Sequence, residues 1–352
     1  MKRKIIVAGV LLMLVFSLIG CASEKRNINK KNEIQNVTDM NNSGGRKLLD
    51  NVYALYEMPK VSTCTVYNAT RGISKSINLE GLFSKEPEIV ESENRTTYNS
   101  REDEEFGVLS ANKNNFYYCT PKGNGFDSWS QALRDNPELF ENINENEINL
   151  WCSDESARDD VKNRLSEIGI IDPVLTVYPV TEEMFNEYCE YYNENLKMGA
   201  KDYSAEDLFG TYKEFFYMEG ELKYDGLTIF NGIAGNVDNG SGIFGSSMSI
   251  IYTNKGIEYL YISNSYEVDV DSGRDVGLED FPIIENNFEK TLDNIIFEET
   301  VSITEVHLIY MPVPNNSIND LYNDFEMTPV WEFSADSGEK WYFNAVSGKE
   351  IS

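Results

Sequence analysis

The sequence predicts an α+β fold, antiparallel sheets with packed helices, behind a lipid-anchored N-terminal tether. Over residues 153–198 a helical spacing, a strand between two prolines and a second capped helix start follow one another with short joints. That is the pattern of helices layered on a sheet. From Ala200 onward, strand-like runs rich in Tyr, Phe, Ile and Val dominate. Ahead of both stands a leader that is basic, then apolar, then ends on a cysteine.

The leader opens on Lys2, Arg3 and Lys4, continues as an apolar run from Ile5 to Ile19, and closes on Leu18-Ile19-Gly20-Cys21. A positive start, a short apolar stretch and a small residue before the cut are the parts of a secretory signal. The run falls short of the roughly 20 apolar residues a permanent membrane helix needs. Leu-Ile-Gly-Cys matches the lipobox of bacterial lipoproteins, so residues 1–20 read as a signal peptide and Cys21 as the lipidation site. Each buried methylene of the lipid contributes about 0.8 kcal/mol to anchoring at the outer face of the cell membrane. Residues 21–46 are mostly Asn, Lys, Glu, Ser and Gly, a composition that cannot offset ordering entropy. They read as a flexible tether.

Residues 47–199 read as an N-terminal α+β region and 200–352 as a C-terminal strand-rich region, with the break near Gly199 to Tyr203. In the first, Val61–Tyr67 and Phe106–Thr120 are strand-like, the acidic stretch Glu86–Glu105 reads as an exposed loop, and Pro137–Asn142 as a short helix. Ala157, Val161, Leu165 and Ile168 then recur at helical spacing behind Ser153 or Asp154, and Gly169 stops the helix. Val174–Tyr178 is a strand between Pro173 and Pro179, and Thr181 caps a second helix. That helix presents Phe185, Tyr188, Tyr192 and Leu196. In the second region, Tyr212–Met218, Leu227–Phe230, Met248–Thr253 and Ile257–Ser263 are strands, with Asn254-Lys255-Gly256 as a hairpin turn. Phe288, Leu292 and Ile295-Ile296 mark one helix after Pro282, and Val301–Met311, Val330–Phe333 and Trp341–Val346 close the chain as strands.

The last of these segments carry a resemblance. Ile303–Tyr310, Pro329-Val330-Trp331-Glu332-Phe333 and Phe343-Asn344-Ala345-Val346-Ser347-Gly348 form a strand ending in tyrosine, a proline-tryptophan strand and a closing hairpin. This portion resembles YycH/YycI-type and PepSY-like exported regulatory proteins, and the chain is also similar to an uncharacterised lipoprotein family of low-GC Gram-positive bacteria. The resemblance implies a PepSY-like C-terminal sheet. It also implies an accessory protein that tunes a membrane protein such as a sensor kinase through contacts rather than catalysis.

The chain has 30 Lys and Arg against 59 Asp and Glu, a net charge of −29, which becomes −32 once Lys2, Arg3 and Lys4 leave with the signal. Such a surface repels nucleic acid and anionic lipid, leaving cationic or neutral partners. Cys64, Cys119, Cys152 and Cys189 remain after lipidation. In an oxidising compartment they are disulfide candidates in any of three pairings, with free buried thiols as the alternative.

No catalytic residue is assigned. The single histidine, His307, sits within a strand, and no phosphate-binding glycine motif is present. Asp269, Asp271 and Asp275, flanking Ser272-Gly273, form the one ion-like run and are a calcium candidate, the only cofactor in view. An exposed acidic turn is the plainer reading. The leading functional expectation is therefore a non-enzymatic regulatory or interaction lipoprotein. A peptide- or glycan-binding lipoprotein comes second and a surface hydrolase third.

Overall fold

The computed structural model describes residues 45–83, 86–92, 95–99, 108–111, 115–120, 150–191, 214–235, 242–295, 297, 300–315 and 324–351. The expected signal peptide, most of the tether and the Pro137–Asn142 helix lie outside them. Arg46–Ser352 forms one compact unit.

Sheet 1 contains β1 (Arg46–Leu49), β2 (Val52–Ala54), β3 (Thr63–Arg71), β16 (Tyr266–Gly277), β17 (Val301–Pro314), β18 (Phe325–Ala335) and β19 (Lys340–Asn344). Its order is β1-β2-β17-β18-β3-β16, with β19 also on β18, and it is antiparallel except where β2 meets β17. Sheet 2 is antiparallel throughout. It contains β4 (Glu88–Ser92), β5 (Arg95–Asn99), β6 (Val108–Ala111), β7 (Phe116–Cys119), β8 (Val174–Val180), β9 (Phe215–Glu221), β14 (Ser247–Thr253) and β15 (Gly256–Ser263). Its order is β4-β5-β6-β7-β15-β14-β9-β8. Two small hairpins, β10 (Lys223–Tyr224) with β11 (Leu227–Thr228) and β12 (Ile233–Ala234) with β13 (Ile243–Phe244), follow β9.

Among the described residues the helices are α1 (Asp154–Glu167), α2 (Glu182–Tyr191) and α3 (Phe281–Leu292), besides a 3-10 turn at Leu79–Leu82. The fold is therefore mostly β, which corrects the α+β expectation. The physical reason lies in two acidic stretches. Glu86–Glu105, expected as a loop, contains β4 and β5, and the expected calcium turn lies within the twelve-residue β16. Acidic side chains tolerate a strand when one face is solvated, so low apolar content does not by itself mean loop. Strand pairing in both sheets spans the expected break near residue 199. Sheet 1 joins β3 to β16 and β18, and sheet 2 joins β8 to β9, so each sheet draws strands from both sides of it.

Each sheet is closed on one face by a helix. Ser153 caps α1, its hydroxyl accepting from Ser156 N at 3.2 Å. Ala157, Val161 and Leu165 lie four residues apart and are fully buried against Met218, Met248, Ile250 and Leu260 of sheet 2. Gly169 ends this segment at φ +90, with Ile170 N returning to the Leu165 carbonyl. On sheet 1, Pro282 starts α3, which buries Phe281, Ile284, Phe288 and Leu292 against Trp331, Phe333 and Phe343. Phe288 and Phe333 stack with ring centroids 4.2 Å apart.

The opposite face of sheet 1 is covered by the small hairpins and their flanks, which place Ile229, Phe230, Ala234 and Ile243 against Tyr310, Met311 and Val330. The chain passes from sheet 2 to sheet 1 through Asn264-Ser265, with Asn264 at φ 51. There Arg71 lies over the Phe244 and Phe325 rings at 5.6 and 5.4 Å. The Asn254-Lys255 turn joins β14 to β15 as expected, with Gly256 at φ +122.

Candidate functional site

Cys21 lies outside the described residues. Asp269, Asp271 and Asp275 all lie on β16, where a register shift between Asp269 and Arg274 makes a bulge against β3. The bulge satisfies itself: Asp269 Oδ1 accepts from Asp271 N at 3.1 Å and Ser272 Oγ donates to the Asp269 carbonyl at 2.6 Å. Asp275 accepts from Thr65 Oγ1 at 2.9 Å, and Arg274 donates to Glu326 at 2.6 Å. Pairing with β3 keeps the backbone extended on either side of the bulge, so the three carboxylates do not converge. Among the described residues no group of three or more His, Cys, Asp or Glu side chains is placed to hold a metal ion. The three aspartates thus lie along one strand without being gathered into such a group.

Three of the four disulfide candidates have described side chains. Cys64 on β3, Cys119 on β7 and Cys152 just before α1 sit on three different elements, and no disulfide joins any two of them. The side chain of Cys189 is outside those described. Cys64 Sγ lies 3.6 Å from Tyr310 Oη, and burial pushes its thiol up from the ordinary value.

A polar cluster occupies the face of sheet 1 that β9 reaches. His307 on β17 pairs across from Glu332 on β18, which pairs with Tyr342 on β19. Glu332 is buried at 9 % exposure. It accepts from Lys340 Nζ at 2.8 Å and Ser334 Oγ at 3.3 Å. Glu221, at the end of β9, joins this group. Burial raises its carboxyl above the ordinary value and the Glu332 charge adds to that, while Lys340 and His307 oppose it. His307 itself is exposed, with Nε2 3.1 Å from Glu305. The Lys340–Glu332 ion pair lies between the neighbouring strands β18 and β19 of sheet 1. The cluster's hydrogen bonds run from Lys340 and Ser334 to Glu332 within sheet 1, and the charges of Lys340, Glu332 and His307 act on Glu221. Alternation along β18, with Trp331 to one face and Glu332 to the other, is the sequence signal that foretells it. Glu221 and Lys340 carry no such signal.

An open groove of about 610 Å³ lies between β1 and the end of α3, lined by Leu48, Leu49, Leu292, Ile295 and Phe297 with Lys47 and Asp293 at its rim.

The sheet edges differ from one another. β1 is four residues long, bulged and basic, and β16 carries its own bulge. On β8, Pro179 lies within the strand and has no N–H to offer, and Arg158 Nε donates to the Leu175 carbonyl at 3.2 Å. The outer side of β19 is taken by the C-terminal residues, through Asn344 N to Lys349 O and Ile351 N to Tyr342 O. These are the usual devices that protect an edge. On β4 every residue is exposed, including Ile89 at 43 % and Val90 at 50 %. The strand contains no proline, lysine or bulge. Among the described residues it pairs with β5 alone. Sequence reasoning misses this edge because its acidic residues resemble loop. The adjacent Ile89-Val90 and Thr96-Thr97-Tyr98 are the available signal.

No family model matches the chain, and no curated protein matches it. The chain is similar in fold to a crystal structure of an uncharacterized protein from Eubacterium rectale ATCC 33656. The TM-score is 0.55 at 13 % identity, over 88 % of this chain and 92 % of that one.

Proposed function

We propose that this chain is a lipoprotein of the outer face of the cell membrane, anchored through Cys21, that acts by protein contact rather than catalysis. The leader Lys2-Arg3-Lys4, the apolar run to Ile19 and Leu18-Ile19-Gly20-Cys21 support the anchoring. The observation that carries the binding half is the exposed β4 edge, which has no proline, lysine or bulge and is guarded only by the charges of Glu88 and Glu91. The resemblance of Ile303–Tyr310 and Pro329–Phe333 to exported regulators supports a membrane protein such as a sensor kinase as the partner. The reading calls on no cofactor and no nucleic acid.

Two measurements on cells making the full chain test it. Fatty-acid labelling is expected on the natural chain and lost in Cys21→Ser, and crosslinking on intact cells is expected to recover a specific membrane protein. Labelling that survives Cys21→Ser, or recovery of nothing above background, contradicts it. A second reading, a lipoprotein binding a small peptide or glycan, has the 610 Å³ groove as its support. A rise in Tm with such a ligand that disappears in Ile295→Glu would put it first.

A further inference from the structure

An edge strand offers a row of outward N–H and C=O groups to any extended chain that can lie beside it. Residues 93 and 94 link β4 to β5, and Ser92 pairs with Arg95 across that link. Counting back from this hydrogen-bonded pair, alternation turns the N–H and C=O of Ile89 and Glu91 away from β5. Ile89 and Glu91 project to one face of the ribbon, and Glu88 and Val90 to the other. An added strand would therefore meet an apolar side chain and a carboxylate on both faces.

Charge selects the occupant. Residues 86–105 carry eight Asp and Glu against Arg95 and Arg101, within a chain of net charge −29. A second copy pairing edge to edge would bring its own Glu88 and Glu91 against these, and like charges across a strand pair are unfavourable. A strand alternating lysine or arginine with β-branched residues would place a cation near each carboxylate and cover Ile89 and Val90.

We propose that β4 takes an extended, basic segment of a partner protein as a further strand of sheet 2. The proposal rests on the protein-contact reading and gives that partner a chemistry.

The probe is a synthetic octapeptide alternating lysine and valine, with a glutamate–valine octapeptide as control, added to the full-length chain. The lysine peptide is expected to bind and to slow hydrogen exchange over residues 88–99, and the glutamate peptide to do neither. Ile89→Pro removes an outward N–H without touching the bonds to β5, and the double variant Glu88→Lys with Glu91→Lys reverses the charge and leaves the backbone whole. Each is expected to weaken binding at least tenfold; should the proline variant misfold, the charge variant decides. Undiminished binding in the charge variant, or protection elsewhere in the chain, overturns the proposal. So does a dimer whose formation β4 variants abolish, because it gives the edge to a second copy. Crosslinking on intact cells separates the two readings. A membrane partner recovered equally with both variants overturns the edge assignment and leaves the protein-contact reading standing. No partner with the natural chain removes that reading itself.

Discussion

Sheet 1 and sheet 2 are each closed on one face by a helix, yet they differ in where they place their apolar residues. Sheet 1 concentrates aromatic rings, with Phe281 and Phe288 of α3 meeting Trp331, Phe333 and Phe343 of the sheet, some stacked and some edge-on. Its edges are short, bulged or covered. Sheet 2 mixes Met218, Met248, Ile250 and Leu260 with Phe116, Tyr118, Phe216 and Tyr252 in the core it shares with α1, and then runs out through β5 to a ribbon whose last strand is exposed along its whole length. The edges of sheet 1 are thus closed by shortness, bulges or cover, whereas β4 leaves its backbone groups open and guards them against a second copy by the charges of Glu88 and Glu91.

The largest effect is expected in sheet 1. Phe333→Ala removes a fully buried ring stacked on Phe288 and should cost about 3–5 kcal/mol, read by urea denaturation. A cost below about 1 kcal/mol would mean that the ring cluster does not hold this half together. Next comes Gly169→Ala, behind α1: the residue sits at φ +90 and a Cβ there would meet the Ser76 carbonyl oxygen. A loss of about 1–3 kcal/mol is expected in the same assay. Ser153→Ala, which removes the α1 cap, should cost about 1 kcal/mol.

Glu221, at the end of β9, gives a pH signature. Its folded carboxyl is raised, chiefly by burial, so the folded state holds the proton longer than the unfolded one. Stability should therefore fall as pH rises from the ordinary glutamate value of about 4.5 through the raised one, and level off above it. Glu221→Gln should remove that fall, seen as Tm against pH, and a parallel pair of curves would contradict it. The smallest effect is expected at the ribbon: Ile89→Lys, on an exposed side chain, should change stability by no more than about 0.5 kcal/mol.

Much of this is legible in the residues, and the failures have causes. The Ala157-Val161-Leu165 stripe behind Ser153, the stop at Gly169 and the Asn254-Lys255 hairpin follow from local rules, and the structure has them. The long-range assembly does not follow, because the pairing of β3 with β16 and β18 joins segments about 200 or more residues apart and no local signal encodes it. The acidic strands escape for a different reason. β4 and β16 have solvated faces, so charge there carries no penalty and the same composition serves strand or loop. Of the site, Glu332 is visible only as a neighbour of Trp331, and the openness of β4 emerges only when the other edges can be compared with it.

A photo-crosslinking residue placed at position 89 or at position 283 of the full chain, on intact cells, asks directly whether the open edge is where a partner binds. Ile89 and Ile283 are comparably exposed, at 43 % and 46 %, but one lies on the open edge and the other on the helix of sheet 1. A discrete crosslinked product is expected from position 89 and none from position 283. Equal labelling from both positions, or a discrete product from position 283 alone, would contradict the assignment of that edge.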